Sequence, residues 1–128
     1  MGLQDCTVGA MAPVTDMARA KEFYEGKLGL AGGREEGDGG VTYELAESTR
    51  LHVYPSPDNA GKSDATIAAF RTDDVEGIVN ELSSKGIEFE QYDTDQIKTN
   101  EKGISELGDI KVAWFKDPDG NTLGVANS

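Results

Sequence analysis

Apolar and polar positions along this chain follow one order of patterns twice. Residues 7–14 (TVGAMAPV) alternate small and larger apolar side chains, the period-two signature of a strand. Thr15 and Asp16 follow, short oxygen-bearing side chains suited to cap the free amides of a helix. Met17, Ala20, Phe23, Tyr24 and Leu28 then recur at three- and four-residue steps, one apolar stripe that Gly29 stops. A short strand is predicted over 30–36, a hairpin turn over 36–40 (EGDGG), a strand over 41–47, and a strand over 50–54 (RLHVY). In the last of these Leu51 and Val53 face one way, His52 and Tyr54 the other.

Residues 55–64 (PSPDNAGKSD) are polar and turn-rich, a candidate linker, and beyond them the order restarts. Residues 65–71 read as a strand, Thr72, Asp73 and Asp74 as caps, and Val75, Ile78, Val79 and Leu82 as the stripe of a helix stopped by Gly86. Strands are predicted over 87–92, 109–116 and 121–126, with a turn at 117–120; the charged, glycine-punctuated stretch 93–108 reads as a mobile loop and a potential lid. The expected architecture is α+β: tandem βαβββ modules, about 5–55 and 65–126, in a single domain spanning 1–128. One module alone would leave a sheet face uncovered, so two curved mixed sheets are expected to close around a shared cleft.

Composition narrows the function. A chain of 128 residues is long enough to bury roughly two-thirds of its unfolded surface. Twenty-four acidic against twelve basic residues leave a formal charge of −12, which argues against nucleic acid and anionic membranes as partners and allows a cationic ligand. The N-terminal MGLQDCTV lacks the basic and apolar regions of a signal peptide, and no apolar run approaches the ~18 residues of a membrane span, so a cytoplasmic protein is expected. Cys6, the only cysteine, excludes an intramolecular disulfide and reads as a small buried thiol at the start of the first strand. Glu35–Glu36 and Asp73–Asp74 sit at element ends, where capping and solvation explain them; the 37–40 turn has no basic residue or helix behind it to make a phosphate loop.

The βαβββ–βαβββ order, the string Asp16…Phe23-Tyr24…Leu28-Gly29-Leu30 and the later DPDGN of residues 117–121 together resemble the vicinal-oxygen-chelate superfamily, which includes glyoxalase I, bleomycin- and fosfomycin-resistance proteins and extradiol dioxygenases. The resemblance spans nearly the whole chain. It implies four metal-ligand places, which fall on Gly9, His52, Ile67 and Gly124. Three of those have no donor side chain, and the neighbours one residue away (Val8, Ala10, Thr66, Ala68, Leu123, Val125) are no better donors. A protein-bound transition metal needs about three side-chain donors, and His52 is the only histidine, so neither metal nor other cofactor is expected.

Alternation, applied to the cleft this resemblance implies, lines it with Met11, Tyr43, His52, Tyr54, Arg71 and Trp114. Polar tips converging on an aromatic wall suit a small molecule, and a flat cation could stack on Trp114 or the tyrosines. The leading expectation is therefore metal-independent sequestration of a small aromatic or cationic molecule, similar to the bleomycin-resistance proteins, with a homodimer implied by the resemblance. The alternative is a metal-free isomerase or lyase in which His52 is the general base and Tyr54 or Arg71 steadies an oxyanion. A third expectation is an interaction module whose cleft is filled by its own side chains.

Overall fold

The computed structural model describes residues 2–128 and divides into two compact units, one running to Ala60 and the other Gly61–Ser128. The boundary falls inside the polar 55–64 stretch. The first unit contains β1 (Gly9–Val14), α1 (Met17–Lys21), β2 (Arg34–Glu35), β3 (Val41–Glu44) and β4 (Arg50–Pro55). The second contains β5 (Thr66–Arg71), α2 (Val75–Ser84), β6 (Ile104–Leu107), β7 (Ile110–Lys116) and β8 (Thr122–Ala126). Each forms a four-stranded mixed sheet of the same topology: the orders are β1-β4-β3-β2 and β5-β8-β7-β6, the first pair in each being parallel and the others antiparallel.

The helices begin where the caps were expected. Asp16 accepts from the amides of Ala18 and Arg19, and Asp74 from that of Gly77, each satisfying donors that lack a partner in the first turn. After Lys21 the first helix widens into a π-turn over Glu22–Lys27, with the Leu28 amide donating five residues back to Phe23. Ala20, Phe23 and Tyr24 are buried on its sheet side. In the second unit Val75, Val79 and Leu82 do the same.

One face of each sheet forms the core. In the first, the row Ala12–Val53–Val41 and the pair Leu51–Tyr43 are buried; in the second, the pairs Ala113–Val125 and Phe115–Leu123 are. Each valine, leucine or phenylalanine among them contributes about 1.5–3 kcal/mol on burial. The DPDGN stretch holds its own turn: the Asp117 carboxylate accepts from the Asn121 amide at 2.9 Å and from its Nδ2 at 2.8 Å. That motif is accounted for by the fold.

Several sequence expectations need correction. Of the strand expected over 30–36 only Arg34–Glu35 pairs, because Gly29 and Gly32 take positive φ (78° and 67°) and break the pleat. The strand expected over 41–47 ends at Glu44; a 3-10 turn at Ala46–Ser48 replaces its end, with Glu47 and Ser48 at φ 57° and 64°. Residues 87–92 form no strand and make a single bridge, Phe89 to Phe115. The stretch 93–108 carries β6, whose apolar pattern is interrupted by Ser105 and Glu106, and its start is tied back through Thr99 to Tyr92 and through Asn100 to Ile104. Cys6 and Val8 are exposed, Val8 at 82%, because regular pairing begins only at Gly9. In β5 the register shifts between Thr66 and Ala68, which makes Ile67 the extra residue of a bulge.

Candidate functional site

The sheet face opposite the core is decided by register. Across the first sheet one row reads Arg34–Thr42–His52–Met11, and the next Glu44–Arg50–Gly9. Side chains in such rows project to one side of the sheet. Gly9, Ala10, Met11, Arg34, Glu36, Thr42, Arg50 and His52 line a hollow of about 250 Å³ there.

His52 is held at both ring nitrogens. Nε2 lies 2.7 Å from Asp38 Oδ2, and Nδ1 lies 2.8 Å from Thr42 Oγ1. Asp38 reaches back from the β2–β3 turn, where its other oxygen accepts from the Gly40 amide at 2.8 Å. Gly40 is needed at this point, since an added Cβ would strike the Val53 carbonyl of β4. Hydrogen bonding from His52 and then from the Gly40 amide lowers the Asp38 carboxyl below its ordinary range. Glu36 is also lowered, first by the Thr42 hydroxyl and then by Arg34. The Tyr54 ring lies parallel to the imidazole, 5.7 Å between centroids and 4° between planes.

Of the six expected lining residues, Met11, His52 and Tyr54 lie on this open face, and Met11 is half exposed. Tyr43 does not. It pairs with Leu51 on the core side, is 1% exposed, and donates its hydroxyl to Glu25 at 2.7 Å. Its neighbour Thr42 takes the open face, because alternation forces adjacent strand residues to opposite sides. Burial, and then the Glu25 carboxylate, push the Tyr43 phenol up.

Arg71 and Trp114 belong to the open face of the second sheet, where they pair with Ala126 and Gly124. Arg71 is mostly exposed and bound to Asp73 at 2.9 Å. Trp114 meets Tyr92 edge-on at 5.4 Å. Five polar residues of the first-sheet site were not anticipated: Arg34, Glu36, Asp38, Thr42 and Arg50. Arg50 stands two residues before His52 in an alternating strand, a pattern that could have found it. Thr42 needs the β3–β4 register, and Asp38 needs the closure of the turn.

The donor set does not fit a resident divalent ion. Gly9, Ile67 and Gly124 offer no side-chain donor, and the one imidazole already uses both nitrogens within the protein. Among the described residues no three His, Cys, Asp or Glu side chains gather at metal-binding spacing.

Comparison with known proteins places this chain in a family. The sequence model of the Glyoxalase/Bleomycin resistance protein/Dioxygenase superfamily matches residues 8–125. The chain belongs to that superfamily. No curated protein matches it. Among solved structures of the superfamily's fold, UcmS2 shares 18% identity at a TM-score of 0.71, covering 95% of this chain and 97% of its own. TnmS3, an antibiotic binding protein from Streptomyces sp. CB03234, shares 24% at a TM-score of 0.63, covering 93% and 92%. The oxidase ChaP-H2 shares 20% at a TM-score of 0.64, covering 95% and 92%. Neighbours that bind and neighbours that oxidise thus have one fold, so the side chains of the site must carry the functional argument.

Proposed function

We propose that this superfamily member binds a small aromatic molecule, without a metal ion, on the open face of its N-terminal sheet. The observation that carries the reading is an imidazole fixed at both nitrogens, with the apolar Met11 side chain beside it in the same row and the Tyr54 ring parallel to it. A planar, immobilised surface of this kind recognises flat ligands at small entropic cost. Binding of antibiotics by the neighbour TnmS3 supports the same reading. Met11, His52 and Tyr54 are the proposed contacts in the first unit; Trp114 and Arg71, on the open face of the second sheet, are proposed as ligand contacts of that unit by itself. A cytoplasmic homodimer, with no nucleic acid or membrane as partner, belongs to this reading; among the described residues no helix is long and apolar enough to cross a membrane.

The alternative, His52 as general base of an isomerase or lyase, gains one point from the structure: Asp38 orients the ring. It loses another, because neither nitrogen is left to face a substrate proton.

A thermal-shift screen of planar aromatic compounds with and without chelator tests the proposal. Ligand at a hundred times its Kd should add about 2.7 kcal/mol of stability and raise the midpoint equally in both conditions. Loss of the shift on chelation, or no shift with any compound, would overturn it.

A further inference from the structure

We infer that the ligand of this hollow is an aromatic carboxylate whose anionic end is held by Arg50. The inference rests on the proposed binding reading and adds the ligand's charge.

The partners of the open-face charges decide the sign. Arg34 is engaged by two carboxylates, Glu36 at 3.2 Å and Glu44 at 3.6 Å. Asp38 is taken by His52 and by the Gly40 amide. Glu36 is already bound to Arg34. An incoming cation therefore meets only carboxylates that already serve other groups. Arg50 differs: among the described residues its guanidinium makes one hydrogen bond, from a terminal nitrogen to the Thr7 hydroxyl at 3.3 Å, and no carboxylate lies within ion-pair distance of it. A guanidinium carries five N–H donors in a planar fork, so an edge suited to a carboxylate stays open.

The surroundings supply the rest of the ligand. Gly9 pairs with Arg50 and leaves bare backbone beside it; a Cβ there would sit in ordinary contact, 3.6 Å from Arg50 Cβ and Nε. Met11 continues the same rim, and a thioether packs well against an aromatic ring. A flat acid can thus place its carboxylate on Arg50 and its ring over Met11 and His52. The overall charge of −12 pointed to a cation, but a contact is decided within a few ångströms, where screening by solvent and salt suppresses distant charge.

Three probes of one shape separate the terms: 2-naphthoate, neutral 2-naphthamide and cationic 2-naphthylmethylammonium, each titrated into the full chain and followed through the amide NMR signals of Met11, Arg50 and His52. Naphthoate should bind about tenfold tighter than either of the others, the scale of a charge-assisted bidentate contact. Arg50→Gln should remove that preference, so that naphthoate and naphthamide bind the variant with equal affinity. Arg50→Lys, which keeps the charge without the fork, should retain part of it and guards against a folding defect in the first variant. Amide or ammonium binding at these signals as tightly as the acid would overturn the charge assignment while leaving the binding site in place. A preference for naphthoate that survives Arg50→Gln would overturn it as well. If no probe moves these signals, both the inference and the proposed function fall.

Discussion

The two sheets share a strand order and differ in what they do with the face away from the core. On the core side they nearly copy one another: Tyr43 beside Leu51 in the first, Phe115 beside Leu123 in the second, an aromatic and a leucine paired across the two inner strands. On the open side the corresponding pairs are Thr42–His52 and Trp114–Gly124. The first is a hydrogen-bonded polar surface extended by Asp38, Arg34 and Arg50. In the second, an indole spreads over a glycine and meets Tyr92. Packing constrains the covered face in the same way in both copies, whereas the opposite face is freer, with Met11 half exposed in the first and Arg71 mostly exposed in the second. Function can therefore diverge there at little cost in stability.

The equivalence of the core faces is the part most easily broken. Tyr43→Ala and Phe115→Ala should each lose about 3–5 kcal/mol in denaturant titrations. Tolerance of either would show that the two cores are not alike. Tyr43 adds an alkaline limb. Its phenol is raised, so its contribution is complete below the ordinary value of 10.0 and is lost as pH climbs above that toward the folded value. Tyr43→Phe should remove that limb.

The open faces should respond with opposite sign. Ser105 Oγ in β6 is buried without a hydrogen-bond partner among the described residues, so Ser105→Ala should gain about 1 kcal/mol or be neutral. Thr42→Val removes the partner of His52 Nδ1 and should lose about 1 kcal/mol. Equal signs would mean that the polar face of the first sheet is no better satisfied than the second.

The smallest effect is acid dependence. Asp38 and Glu36 have folded-state values below their unfolded ones, so what they contribute is in place above the ordinary carboxylate range and is lost as pH falls through the depressed values. Asp38→Asn should flatten the acid limb slightly, and a steeper limb in that variant would contradict the role given to His52. Solvent exposure of both carboxylates keeps this change below those of the core substitutions.

The misplacement of Tyr43 and the omission of Thr42 have one cause. Alternation over 41–45 sets Val41 and Tyr43 on one side, yet a strand read alone does not say which of its faces the helix will cover. The register Tyr43↔Leu51 answers that, and it follows from how the 45–49 connection closes, with the Leu45 amide donating to the Thr49 carbonyl at 2.8 Å. The β6 strand was missed for a related reason: Ser105 and Glu106 interrupt its apolar pattern, and only pairing with Val112 and Lys111 of β7 makes the segment a strand.

What lies in the sequence itself is everything that depends on near neighbours: the caps Asp16 and Asp74, the helix stripes, the doubled order of elements, and a lone histidine without partner ligands at metal spacing. Those properties follow from side-chain chemistry and from periods of two and 3.6 residues, which operate along the chain. Tertiary structure alone decided that Asp38, fourteen residues away, would grip His52, and that Arg50 would have no carboxylate within ion-pair distance among the described residues. Such contacts depend on register and turn closure, and these place residues side by side that the chain keeps apart.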